Sequence, residues 1–421
     1  MVNGGQLTPD RFRFYAHHPS GLSLTIAASF ALLGEAEWSA RLVPIAFTLG
    51  AAAFLYLVAR ELAGPWAGFF ATLVFVAQPM VAFYGRMPDH EAPAAFFALL
   101  LTWLYLRWAR HQRRGWLIGM CAAAFVGVSY AWIVAVMPWL LLGYHMLVKR
   151  RGWRWMLAPV AAGFLGFVSV LIHIALLGEL SGLWDALVHR LGSEAGDRGV
   201  GASFGFVDFM TRQGVYAATC FGLVASLAAV AWLLLRARRQ RPPALLVAAL
   251  LAFALVNVVG FRQGAYVHIY YQFYLALPLA LAAGLGLDAL CQAASRRRWL
   301  LGAAAVVAAL IVAEGWWKLA PIRQAEIGTY ARQIPVARAI RSSTSPEDQV
   351  RVLWQLRASF RQLTYYADRD VSVTDDLSQA RRRALLREGA KCFEVVREAT
   401  GDAVWPVVNP SPRERPRAPG R

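Results

Sequence analysis

Long apolar runs separated by short polar and basic punctuation fill the first three quarters of the chain. Runs at 42–63, 65–84, 92–109, 155–177, 214–235, 243–261, 270–292 and 299–319 reach the ~20 residues that a helix needs to cross a bilayer. The stretch 115–148 is about twice that length, and Gly127, Ser129 and Pro138 divide it into two short helices. Basic residues cluster at Arg107–Arg114, Lys149–Arg154, Arg236–Arg241 and Arg296–Arg298. Basic loops face the cytoplasm, so an even number of crossings separates each pair of clusters, and 115–148 must cross twice. The opposite loops, 85–91, 178–213 and 262–269, hold few basic residues and most of the loop acids. The pattern predicts about ten transmembrane helices, with 1–41 and 320–421 outside the cytoplasm. The segment 21–33 is apolar but too short to span, and is expected to lie in the interface.

Beyond Ala320 the apolar density falls. Short β-type runs recur at Val350–Trp354, Val371–Val373 and Phe393–Val396, with a helical pattern at Leu377–Arg387. This alternation predicts a small α/β domain. Residues 406–421, rich in Pro and Arg, read as a disordered tail. The expected organisation is an extracytoplasmic loop and interfacial helix over 1–41, a membrane body over 42–320, an extracytoplasmic α/β domain over 321–405 and the tail.

Composition sharpens this picture. The 421 residues are 58% hydrophobic and 16% charged, with a mean hydropathy of +0.44. Such a chain is neither disordered nor an ordinary soluble enzyme. The net charge of +18 would suit nucleic acid, but the punctuation by basic clusters accounts for it, and nucleic acid is not expected as a partner. Four Cys without a CxxC pair speak against a disulfide scaffold or a structural zinc site. No secretory signal opens the chain. Usage rich in Ala, Arg and Leu points to a bacterial plasma membrane.

Polar residues at a membrane boundary are costly to bury and mark function. Three groups qualify on the extracytoplasmic side. His17 and His18 precede Pro19 and the interfacial segment, and can bind phosphate, a sugar hydroxyl or a metal. Arg86, Asp89, His90 and Glu91 crowd one short loop, where the two carboxylates can serve acid–base work or hold a divalent cation. Glu91 and Asp89 also favour the N-terminus of the helix that follows. Arg262, His268 and Tyr270 lead into the run at 270–292 and suit a phosphate at the membrane surface.

In order and sidedness these groups resemble the polyprenyl-phosphate-dependent glycosyltransferases of the GT-C fold, and family 39 in particular, which includes protein O-mannosyltransferases and aminoarabinose transferases. His18-Pro19-Ser20-Gly21 stands for a His-Pro-Pro-Leu-type motif. Leu33 to Pro44, Leu55 to Gly64 and Pro79 to Arg86 match three further stretches, and His268-Ile269-Tyr270-Tyr271 a fourth. The similarity covers about residues 14–320. It implies transfer of a sugar from a polyprenyl-phosphate donor to a lipid, glycan or protein acceptor on the extracytoplasmic face. It further implies Asp89 and Glu91 at the acceptor or at a Mg or Mn ion, Arg262 and His268 at the phosphate, and His17, His18, Arg86, His90 and Tyr270 lining the pocket. Family members begin with a further transmembrane helix and an acidic loop; the expectation is that this chain starts short of both. A lipid-linked-sugar transporter or flippase shares the helices and basic loops, but should show charges within its spans and an internal repeat. A non-catalytic membrane scaffold is the third reading.

Overall fold

The computed structural model describes residues 18–178, 180–192, 203–236, 241–293, 298–345, 349–354, 370–374, 391–398 and 401–407. The chain divides into two compact units, one over Phe14–Pro321 and one holding Ile322 onward.

The first unit is all helical among its described residues. It opens with α1 (Gly21–Leu33), α2 (Glu37–Ala63), α3 (Pro65–Ala77), α4 (Pro79–Tyr84) and α5 (Glu91–His111). α6 (Arg114–Val128), α7 (Val136–Val148), α8 (Leu157–Leu176), α9 (Leu180–Leu191), α10 (Phe206–Cys220) and α11 (Leu223–Arg236) follow. α12 (Arg241–Gly260), α13 (Arg262–Val267), a 3-10 turn at Ile269–Leu275, α14 (Ala276–Ala293) and α15 (Trp299–Ser343) complete the described helices. The apolar core lies where α2, α3, α5, α6, α11, α12, α14 and the 3-10 turn meet, around Leu55, Phe75, Leu99, Phe253 and Phe273.

Among the described residues, six helices are long and apolar enough to cross a membrane, or seven if the bent pair α10–α11 is counted as one span. The shorter apolar helices at 65–77, 114–128 and 132–148 fall within three further expected runs without reaching spanning length themselves. The chain is thus a multi-pass membrane protein. The stretch 115–148 forms two separate helices, α6 and α7, and α1 covers the short apolar segment. Two expected spans are not single helices. The run 65–84 breaks between α3 and α4 because Pro79 lacks an N–H and holds Gln78 extended (ψ 130°). The run 214–235 bends by 107° between α10 and α11.

A break within lipid must satisfy its freed backbone groups internally. Gly222 N–H donates to Gln78 Oε1 (2.8 Å), and Leu223 and Val224 N–H donate to the Glu314 carboxylate (2.6 and 3.0 Å). On the carbonyl side, Lys318 Nζ donates to Ala218 O and Phe221 O, both at 2.8 Å. Glu314 and Lys318 are themselves paired at 3.3 Å. One turn of α15 therefore caps both halves of the bend. Gly315 is needed there, since a Cβ would lie 2.0 Å from Ala77 O.

The other end of the bundle carries the basic residues. Arg107 and Arg110 hold Glu61 at 2.7 and 3.1 Å. His145, near the end of α7, is buried; its Nε2 donates to Arg151 O at 2.8 Å, so Nδ1 accepts from the Tyr105 hydroxyl at 3.1 Å.

In the second unit, β1 (Gln349–Trp354), β2 (Asp370–Thr374), β3 (Lys391–Glu398) and β4 (Gly401–Val407) form one sheet in the order β2-β1-β3-β4. β1 pairs in parallel with β2 and β3, and β4 runs antiparallel to β3. β4 includes Pro406 and Val407, which the sequence reading assigned to a disordered tail. The expected helix at 377–387 lies outside the described residues.

Candidate active site

The site is built from the loop before α5 outward. Residues 85–90 make a tight reversal between α4 and α5. Thr48 Oγ1 donates to Gly85 O at 2.6 Å, and a Cβ on Gly85 would meet Val81 O at 2.5 Å. The Asp89 carboxylate accepts from His90 N–H at 2.8 Å, so the acid is fixed at the entry to α5. His90 Nδ1 lies 2.5 Å from Tyr130 O. A carbonyl can only accept, so Nδ1 carries the proton and Nε2 keeps its lone pair. Burial holds the His90 imidazole below its ordinary range, and Arg190 lowers it further, against opposing contributions from Asp89 and the Tyr130 carbonyl. At neutral pH His90 is an uncharged base.

The turn 129–131 also anchors the first motif. Gly21 N–H donates to Ser129 O at 2.8 Å, and Thr25 Oγ1 lies 2.8 Å from the Tyr130 hydroxyl. Phe47 and Phe97 pack around the Tyr130 ring. This clamp places the His18 ring over His90, stacked with centroids 4.3 Å apart and planes 11° apart. Sequence positions seventy-two residues apart thus become one pair of imidazoles.

Glu91, in the first turn of α5, is 8% exposed. Its carboxyl and that of Asp89 interact directly, while its Oε2 is buried without a hydrogen-bond partner. An orphaned carboxylate oxygen beside a second carboxylate fits a Mg-type ion, which takes one or two protein carboxylates and completes its shell with water and phosphate oxygens. Among the described residues no group of three or more His, Cys, Asp or Glu side chains is placed for a metal ion.

The central cation is Arg190, which sequence reasoning passed over. Its Nη1 donates to the Tyr271 hydroxyl at 2.6 Å and lies 3.4 Å from His18 Nε2. It sits on α9, which exposes Leu180, Trp184 and Val188 four residues apart and carries Arg190 on its inner side. An amphipathic helix with one cation off its apolar stripe was the available signal. Tyr271 is positioned from behind: a Cβ on Gly264 would meet its ring at 2.4 Å, and Asn257 Nδ2 donates to its carbonyl at 3.0 Å. The buried amides Gln213 and Gln272 tie the same turn to α10, with Gln272 Nε2 donating to Gln213 O and Oε1.

Of the residues singled out by sequence, the structure brings together His18, Asp89, His90, Glu91, His268 and Tyr270. His268 stacks on Tyr270 (5.0 Å) and lies near Tyr271 (6.2 Å), while Tyr270 reaches Tyr84 (6.1 Å). Arg262 is exposed, and its Nη2 reaches Leu191 O, beside Arg190, at 3.4 Å. Arg86 packs over the Phe83 ring at 5.2 Å. His17 lies outside the described residues.

Comparison with known proteins bears on the fold. Residues 17–177 match the model of a family described as dolichyl-phosphate-mannose-protein mannosyltransferase. The structure is similar to that of ArnT from Cupriavidus metallidurans bound to undecaprenyl phosphate, with a TM-score of 0.60 and 16% identity over 90% of this chain and 83% of that one. It is also similar to the archaeal oligosaccharyltransferase AglB from Archaeoglobus fulgidus in complex with an inhibitory peptide and a dolichol-phosphate. There the TM-score is 0.57 and the identity 11%, over 90% of this chain and 61% of that one. No curated protein sequence matches significantly. The resemblance read from the motifs is borne out, and the chain carries the GT-C fold.

Proposed function

We propose that the protein transfers a sugar from a polyprenyl-phosphate donor to a hydroxyl or amine acceptor on the extracytoplasmic face of a bacterial plasma membrane. The observation that carries this reading is the convergence of Arg190, the His18–His90 pair and the Asp89–Glu91 carboxyls at the end of the bundle away from the basic clusters. The relatives support it: the solved neighbours hold undecaprenyl phosphate and dolichol-phosphate.

In this reading the acceptor oxygen or nitrogen attacks the anomeric carbon. The bond from that carbon to the phosphate oxygen breaks, and polyprenyl phosphate leaves with the electron pair. Arg190, held against Tyr271, stabilises the charge that grows on the departing phosphate; preorganised cations are strongest in such a dry site. Arg262 adds charge at the rim and His268 backs Tyr270. The acceptor proton goes to the Asp89 carboxylate, with the neutral His90 Nε2 as the neighbouring acceptor. Mg or Mn, held by Asp89 and the orphaned Glu91 oxygen, would supply further neutralisation of the phosphate.

The test is transfer of radiolabelled sugar from a polyprenyl-phosphate donor in membranes carrying the full chain. Asp89→Asn is expected to lower transfer by ~10² or more. Arg190→Ala is expected to weaken donor use at low concentration. Unchanged transfer in Asp89→Asn removes that residue from the site. Donor binding with no turnover in the unsubstituted protein would replace the enzyme by a lipid-sugar-binding scaffold.

A further inference from the structure

α13 is a helix of six residues, and the last carbonyls of a helix have no partner within it. Two of them are met from α10. Gln213 Nε2 donates to Ala265 O at 2.8 Å, and the Tyr216 hydroxyl donates to Tyr266 O at 3.0 Å. Arg212 Nε donates to the same hydroxyl at 2.9 Å, which leaves that hydroxyl its own proton for the carbonyl. Side chains of α10 therefore cap the C-terminal end of α13.

Gln213 also reaches the other side of the tyrosine turn. Its Oε1 accepts from Gln272 Nε2 at 2.8 Å, and its main-chain carbonyl accepts from the same amide at 2.9 Å. Gln272 directly follows Tyr271. Ala265 directly follows Gly264, whose lack of a Cβ makes room for the Tyr271 ring. One buried amide thus fixes the floor under the ring and the chain just beyond it. Tyr271 depends on that support because its hydroxyl meets Arg190 Nη1 at 2.6 Å, and a hydrogen bond weakens steeply with misalignment. Both ends of the Gln213 amide are taken up by protein partners, so its influence on the site runs through Tyr271.

We propose that Gln213 is a positioning residue for the phosphate cation: acting through Tyr271, it holds the Arg190 guanidinium toward the donor phosphate. The inference rests on the role proposed above for Arg190. A tie that only stabilises the fold would weaken binding whether or not Tyr271 has its hydroxyl. A positioning residue works only while that hydroxyl is there to transmit it.

The experiment is a double-mutant cycle on the full chain in detergent, read by equilibrium binding of radiolabelled undecaprenyl phosphate, with thermal unfolding alongside. Tyr271→Phe is expected to weaken binding about tenfold, since a misplacement of about 1 Å is felt on that scale or more. Gln213→Leu is expected to weaken it to a similar extent, and the double variant no further than Tyr271→Phe alone. Unchanged binding in Gln213→Leu, or losses that multiply in the double variant, overturns the proposal. Should Gln213→Leu not fold, Gln213→Asn replaces it. That amide is too short to hold Ala265 and Gln272 together, and a loss of about threefold is expected, again absent when Tyr271 is Phe. An electron cryomicroscopy structure of the Gln213 variant separates this proposal from the donor assignment. If the unsubstituted protein binds no undecaprenyl phosphate, the donor assignment fails. The positioning role then stands if the Tyr271 hydroxyl has left Arg190 in the variant, and falls if that contact is unchanged.

Discussion

His90 illustrates how one buried residue sets a pH dependence. Its imidazole titrates lower in the folded protein than in the unfolded chain, whose value is ~6.5. The unfolded state therefore binds more protons in the window below that value, and stability falls as pH drops through it. Thermal unfolding in detergent should show a midpoint that declines from pH 7.5 to 5.5. His90→Asn keeps a donor for Tyr130 O without titrating, and should flatten that decline; an equal slope in both proteins would sink the assignment. Gly21 makes a second prediction at this scale. A Cβ there would sit 2.4 Å from Ser129 O, so Gly21→Ala should cost about 1–3 kcal/mol of stability. Because the same clamp positions His18, donor affinity should fall with it, which a donor titration reads directly.

Among the elements, the bend between α10 and α11 depends most on a single partner. Glu314 accepts both first N–H groups of α11, and Lys318 holds the last carbonyls of α10. Glu314→Ala leaves two donors unpaired in an apolar setting, at about 1–3 kcal/mol. Glu314→Gln retains an acceptor and should be milder. Since the two side chains are paired, the Glu314→Ala and Lys318→Met effects should not add. Thermal midpoints of the two single variants and the double variant check this, and simple additivity would count against a shared cap. α9 works differently. It exposes the apolar stripe of Leu180, Trp184 and Val188 on one side and turns Arg190 toward Tyr271 and His18 on the other.

For the molecule as a whole, the charge asymmetry predicts an orientation. In a cysteine-free background, Met87→Cys should react with a membrane-impermeant maleimide in intact cells. Arg113→Cys should react only after permeabilisation. The reverse pattern would invert the topology and move the site to the cytoplasm. Removal of divalent ions tests the Asp89–Glu91 pair at this scale too: if Mg or Mn assists the phosphate, a chelator lowers transfer and added metal restores it.

The sequence by itself determined the membrane body, since apolar runs of bilayer length and basic clusters between them are local, one-dimensional signals. It also marked His18, Asp89, His90, Glu91, His268 and Tyr270 as polar residues at costly positions. Only the tertiary structure decided how they meet. The His18–His90 stack depends on a clamp through Gly21 and Tyr130, residues with no chemistry of their own. Arg190 became the central cation because α9 folds back against Tyr271, a contact across eighty-one positions that no spacing rule reports. The two broken helices were read as continuous for the same reason. Apolar periodicity runs straight through both breaks, and the groups that make them tolerable, Gln78, Glu314 and Lys318, come from elsewhere in the chain. Burial, pairing and helix breaks are settled by which distant groups arrive to satisfy a buried donor or charge, and that is a property of the packed fold.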